Sequence, residues 1–157
     1  MNDEKKIMFI RQYEEEYFTD TAVPNILLPR LIGSAPDRKD SMEPCVWGAL
    51  FSAQIIKEHN LRFPSERELI SEDVVFNIEY MQHARGAYIL SYSGIHYRVN
   101  EKSLTRSYRP NRLEACCIFY QKMKERLIEL GYEESTLFRL SRIFFVYLRV
   151  CISQETE

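Results

Sequence analysis

The last third of the chain carries two long amphipathic patterns joined by a short link, and this feature constrains the fold most. Apolar residues of the first pattern recur at spacings of three and four, at Leu113, Cys116, Tyr120, Met123, Leu127 and Leu130. The second pattern repeats these spacings at Leu137, Leu140, Phe144, Tyr147 and Cys151. Such spacings place apolar side chains on one face of a helix. We therefore predict helices over 110–130 and 135–152 that pack antiparallel, because the link between them is short.

The middle of the chain changes from helical to alternating patterns. In "VVFNIEYM", residues 74–81, Val74, Phe76, Ile78 and Tyr80 alternate with a second set that includes Asn77 and Glu79. This period of two predicts a half-buried strand. Residues 87–92, "AYILSY", predict a second strand, and residues 95–100, "IHYRVN", a third after a Ser-Gly turn. The expected structure is a small three-stranded antiparallel meander.

Two further helices are predicted upstream of the meander. Residues 3–18 have apolar side chains at helical spacing, and residues 44–59 begin with Pro44, which suits a first helical position. The apolar run "VWGALFSAQII" leaves this second helix almost no polar face, which is typical of a buried helix. The predicted fold is α+β: an N-terminal helix, a buried central helix, the meander and a C-terminal antiparallel helix pair.

Length and composition limit the class of protein. The 157 residues predict a single domain over 1–157, and 45% hydrophobic residues with 28% charged residues are ordinary for a globular chain. The net charge of −2 gives no overall field toward nucleic acid or membrane. Because no secretory signal is visible and the apolar run at 143–148 is too short to span a bilayer, we expect a cytoplasmic protein.

Cysteine spacing gives no sign of a metal site. The four cysteines lack the paired CxxC arrangement of a zinc site, and a chain without an export signal is expected to keep its thiols reduced. We therefore expect no cofactor, no metal and no disulfide framework.

A thiol and an imidazole form the main candidate for chemistry. Cys45 follows Pro44 and would be the second residue of the predicted central helix, where unpaired N–H groups and the helix dipole stabilise a thiolate. His96 would share one face of the third strand with Arg98 and Asn100. Cysteine and histidine at hydrogen-bond distance form a nucleophile and base pair. The alternative interpretation is that Cys45 is a packing residue and His96 an ordinary strand residue.

The segments around this pair resemble papain-like cysteine proteases, and more narrowly the ovarian-tumour (OTU) family of deubiquitinases. Residues 87–99, "AYILSYSGIHYRV", resemble the histidine segment of that family, and residues 44–55, "PCVWGALFSAQI", resemble its cysteine helix. The resemblance implies a hydrolase acting on a protein substrate, with a ubiquitin-like tail as the narrower expectation. In it, Cys45 is the nucleophile, and His96 is the base and acid.

The third member of such a triad orients the histidine. Asn100 lies two residues beyond Arg98 on the same predicted strand face and is the first candidate, and Asp40 and Asp20 are alternatives. His83, in the predicted turn "QHARG", is an alternative base. The oxyanion hole would be formed by backbone N–H groups at the start of the cysteine helix.

A second function class comes from the basic segment 98–112 and the last helix. The candidate binding residues of segment 98–112 combine cations with an aromatic ring: Arg98, Lys102, Arg106, Tyr108, Arg109 and Arg112. Such a set suits phosphate or single-stranded nucleic acid, but a solvated loop is the favoured interpretation of this segment. The aromatic residues of the last helix indicate a core helix or a protein-binding or homodimer face: Phe138, Phe144, Phe145, Tyr147 and Leu148. The alternative function is therefore a non-enzymatic interaction or adapter protein.

Overall fold

The computed structural model describes residues 13–37, 39–65, 69–92, 94–95 and 110–155. In chain order these residues form β1 (Glu16–Thr19), a π-helical turn (Val23–Leu27), α1 (Leu28–Ile32), a 3-10 turn (Val46–Gly48), α2 (Ala53–Glu58), α3 (Glu72–Met81), β2 (Gly86–Ile89), α4 (Arg112–Glu129) and α5 (Glu134–Glu155). The predicted α+β class is confirmed, with a largely helical chain and a two-stranded antiparallel sheet.

Helices α4 and α5 form the predicted antiparallel pair. Contacts between them run in opposite directions along the two helices: the Tyr120 hydroxyl lies 3.0 Å from the Ser141 Oγ, whereas Cys116 lies beside Cys151 near the end of α5. Gly131 in the link has a positive φ of 80°, a conformation that glycine adopts without a steric penalty. The 3,4 spacing and a glycine stop were therefore sufficient to predict this pair.

Residues 74–81 form most of α3, so the predicted first strand of the meander is wrong. The helix is buried on almost every side, and Val74, Phe76 and Ile78 are each at most 2% exposed. Where nearly all positions of a segment are buried, the apolar pattern no longer distinguishes a strand from a helix. The acidic residues Glu72 and Asp73 occupy the first turn, where they favour a helix N-terminus.

The predicted buried central helix over 44–59 is also wrong. The chain makes only the 3-10 turn Val46–Gly48 there, and it is extended at Ala49 and Ser52 before the six-residue α2 begins. Trp47 and Leu50 are large exposed residues of this segment. Four apolar residues of this run pack partly against the core without forming a continuous buried helix: Val46, Phe51, Ile55 and Ile56. The Phe51 ring meets the Phe76 and Tyr80 rings of α3 edge to face.

The sheet joins two distant segments. Strand β1 pairs antiparallel with β2, with Phe18 opposite Ala87 and Glu16 opposite Ile89. The predicted N-terminal helix over 3–18 is therefore wrong at its end, while residues 3–12 lie outside the described residues. The predicted second strand, 87–92, is confirmed only in its first half, as β2, and it pairs with β1 instead of residues 74–81. The third predicted strand, 95–100, lies outside the described residues from 96 onward.

One cluster of buried side chains connects the sheet with α1, α3, α4 and α5. The most deeply buried of its members are Val23, Leu28, Ile78, Phe119, Leu127 and Leu140. In the part of the chain that the structure describes, no helix is long and apolar enough to cross a bilayer.

Candidate functional site

Cys45 precedes a single turn and does not begin a helix. Its backbone is extended, with φ −65° and ψ 122°, and the turn that follows contains three residues. A turn this short does not present the aligned peptide dipoles and free N–H groups of a long helix. The helix head that was predicted to stabilise the thiolate and to form the oxyanion hole is therefore not formed.

Two side chains of α3 hold the backbone on both sides of Cys45. The Asn77 amide donates a 2.7 Å hydrogen bond to the carbonyl oxygen of Pro44, and the Val46 N–H donates to the Asp73 carboxylate at 3.2 Å. Asn77 is only 3% exposed, and burial raises the pKa of Asp73. These two hydrogen bonds fix the segment around Cys45, and Cys45 itself is half-buried.

The partners predicted for Cys45 lie outside the described residues. This holds for His96 and Asn100, and for the candidate binding residues Arg98, Lys102, Arg106, Tyr108 and Arg109. Arg112 alone of that basic set is described, and it is the half-buried first residue of α4. The cysteine–histidine pair and the basic binding site therefore stay predictions.

The two other histidines stack on each other. The rings of His59, after α2, and His83, after α3, lie 3.6 Å apart between centroids and within 8° of parallel. Burial lowers the pKa of His83, and the His59 ring lowers it further, because a second positive charge beside the first is unfavourable. This stacking accounts for the positions of both imidazole rings, so a catalytic role is not needed to explain them.

Asp40, one alternative for the orienting residue, is engaged elsewhere. Both of its carboxylate oxygens accept hydrogen bonds from Arg139 of α5, at 3.0 and 2.9 Å. This guanidinium lowers the pKa of Asp40 to about 2. Asp20, the other alternative, lies in a turn with a positive φ of 43°, where its N–H donates to the Arg85 carbonyl oxygen. Asp40 therefore connects a loop to α5 as a structural ion pair.

Helix α5 presents a second face that the sequence prediction did not resolve. Its exposed members recur at spacings of four and three and alternate apolar and basic: Phe138, Arg142, Phe145, Arg149 and Ile152, together called the exposed α5 face. Phe138, Phe145 and Ile152 are 46%, 65% and 66% exposed. Phe144, Tyr147 and Leu148, grouped with them by the sequence pattern, are instead half-buried. The regular spacing from Phe138 was the signal that could have separated the two faces.

The charge of this face is entirely positive. Between 135 and 153 the sequence contains no carboxylate, and Arg142 and Arg149 are both exposed. Arg142 also donates a 2.8 Å hydrogen bond to the carbonyl oxygen of Ala35. The face thus combines large apolar side chains with guanidinium groups, and neighbouring α5 residues do not neutralise it.

Comparison of the chain with protein-family models, with curated proteins and with solved structures gives no match. The described residues contain no group of three or more histidine, cysteine or acidic side chains that could hold a metal ion.

Proposed function

We propose that this protein is a non-enzymatic interaction module whose exposed α5 face binds another protein. The observation that carries the proposal is Phe145, which is 65% exposed to water between two arginines on a regular helix. Aromatic residues and arginine are enriched at the centres of protein interfaces, because they bury a large area and form directed hydrogen bonds. Three large apolar side chains in one row therefore favour a docking surface over an ordinary solvated surface.

The chemistry of this face specifies its partner. Phe138 and Ile152 are fourteen positions apart, which corresponds to roughly 21 Å or about four helical turns. An amphipathic helix of similar length fills such a row with apolar anchors at spacings of three and four. Arg142 and Arg149 favour carboxylates, since a guanidinium binds a carboxylate through two parallel hydrogen bonds. The proposed partner is an acidic amphipathic helix of another protein.

Selection from a displayed library of helical peptides tests this proposal. We expect the wild-type protein to enrich peptides that combine apolar anchors with glutamate or aspartate. Phe145→Ala is expected to weaken their binding at least about tenfold, and Arg149→Ala to weaken it and reduce its dependence on salt. The binding is measured by fluorescence polarisation of the enriched peptides.

Leu50→Ala is the matched control, because Leu50 is a fully exposed apolar residue outside the exposed α5 face. It is expected to bind the same peptides as tightly as wild type does. Equal binding of the enriched peptides to wild type and Phe145→Ala, or enrichment of basic peptides, would refute the docking proposal.

A thiol hydrolase that acts on a protein substrate, with Cys45 as nucleophile and His96 as base, is the second candidate. The fixed backbone on both sides of the half-buried Cys45 supports it, because a nucleophile must be held in place. The pH dependence of alkylation by iodoacetamide, followed at each cysteine by peptide mass spectrometry, tests it. The hydrolase requires Cys45 to react faster than the exposed Cys117 below pH 7, and His96→Ala to remove that difference. If Cys45 reacts more slowly than Cys117 at every pH, the hydrolase is rejected.

A further inference from the structure

Two thiols meet inside the helix pair. The Cys116 Sγ of α4 lies 3.9 Å from the Cys151 Sγ of α5, and the two residues are 35 positions apart in the chain. Cys116 is 1% exposed and Cys151 8% exposed. A disulfide bond is about 2 Å long, so the two sulfurs must approach each other by roughly a further 2 Å before they can bond. Rotation of the two cysteine side chains is the movement that would bring them together.

The contact between Cys116 and Cys151 lies far from the link that joins α4 to α5. The link around Gly131 closes one end of the α4–α5 pair, whereas Cys116 lies in the second turn of α4 and Cys151 near the end of α5. A bond between the two sulfurs would therefore close the open end of the hairpin. Closing a loop of this length removes conformations mainly from the unfolded chain and so stabilises the folded hairpin.

We propose that Cys116 and Cys151 are an oxidisable dithiol that forms a reversible disulfide between α4 and α5. The oxidant is a small disulfide of the glutathione class. This modification site does not depend on the docking function proposed for the exposed α5 face.

The reaction is two successive thiol–disulfide exchanges. The Cys151 thiolate attacks one sulfur of oxidised glutathione, the S–S bond of glutathione breaks, and one glutathione thiolate leaves. The Cys116 thiolate then attacks the Cys151 sulfur of the mixed disulfide, and the second glutathione thiolate leaves. The two protons lost by the cysteines pass to the two glutathione thiolates. The protein dithiol is thereby oxidised, and one glutathione disulfide is reduced to two thiols.

The environment of the two thiols sets the order of these steps. Burial, together with the contact to Cys151, raises the pKa of Cys116 to about 12, so Cys116 is a poor first nucleophile. Cys151 is the more exposed thiol and lies in the terminal part of α5, where helices open most readily. We therefore expect slow formation of the bond, over minutes to hours, through a mixed disulfide at Cys151.

The test uses wild-type protein and the variant Cys45→Ser/Cys117→Ser, which retains only the proposed pair. Each folded sample is incubated with oxidised glutathione, digested with trypsin without reduction, and analysed by mass spectrometry. The expected product joins peptide 113–122 to peptide 150–157 through one disulfide. The midpoint of thermal unfolding is expected to rise by roughly 5–10 °C and to return on reduction.

The matched control is Cys45→Ser/Cys116→Ser, in which Cys117 replaces Cys116 as the only thiol of α4. Because Cys117 is exposed, this variant is expected to accumulate glutathione adducts without an interhelical bond. The proposal is wrong if the folded wild-type protein and the Cys45→Ser/Cys117→Ser variant form the linked peptides only after unfolding in urea. It is equally wrong if the control links Cys117 to Cys151 as fast as the retained pair is linked.

Discussion

Replacing Arg139 with methionine is expected to lower the free energy of unfolding by about 2–4 kcal/mol. The Arg139 guanidinium donates two hydrogen bonds to Asp40 and one, of 2.5 Å, to the carbonyl oxygen of Gly33. The side chains of Arg139 and Asp40 are 12% and 19% exposed, so water replaces these bonds poorly. Methionine keeps the apolar stem but leaves the Asp40 carboxylate without its cation. Urea unfolding of both proteins measures the loss.

The same ion pair predicts how stability depends on pH. The pKa of Asp40 is about 2 in the folded protein against an ordinary value of 3.8, so the folded state binds its proton less readily. The stabilisation from this group is therefore complete above about pH 4 and is lost as the pH falls toward 2. We expect this part of the acid-induced loss to be absent from Arg139→Met, as measured by urea unfolding between pH 2 and 5.

Arg142→Met is the control for this prediction, because Arg142 lies one turn later on α5 and donates one hydrogen bond to Ala35. It is expected to cost no more than about 1 kcal/mol. If Arg142→Met and Arg139→Met are equally stable at pH 7, the Asp40 ion pair does not hold the loop to α5.

Replacing Phe119 with alanine is expected to cost about 3–5 kcal/mol of unfolding free energy. Phe119 is 0% exposed at the contact of α4 with α5, and its ring meets the Tyr147 ring at 5.9 Å between centroids. Its removal leaves a cavity between the two packed helices, which close-packed neighbouring side chains fill only in part. Chemical and thermal denaturation, followed by circular dichroism, measure the effect.

Phe145→Ala is the matched control, because it removes the same ring from the exposed side of the helix pair. It is expected to change stability by no more than about 0.5 kcal/mol while weakening peptide binding. A loss of stability as large as that of Phe119→Ala would show that Phe145 is packed in solution. The exposed α5 face would then no longer be available for a partner.

The sequence alone determined the helices whose apolar pattern depends only on residues close together in the chain. The 3,4 spacing and the link at Gly131 defined α4 and α5, because a helix places residues three and four apart on one side regardless of the rest of the chain. Even here the pattern missed the fully buried Phe119 and included Leu113, which is 53% exposed. Periodicity identifies a helical face, whereas the neighbouring elements decide which part of that face is covered.

Only the tertiary structure decided the features that depend on contacts between residues far apart in the chain. Residues 74–81 have an alternating pattern, yet they form a helix because packing surrounds them on nearly every side. Strand β2 pairs with β1, about seventy positions away, and Asp40 pairs with Arg139, 99 positions away. No local spacing encodes these contacts. They form because burial of the common core brings the segments together. Cys45 likewise lies in an extended segment that α3 holds by hydrogen bonds, whereas its local sequence predicted the start of a helix.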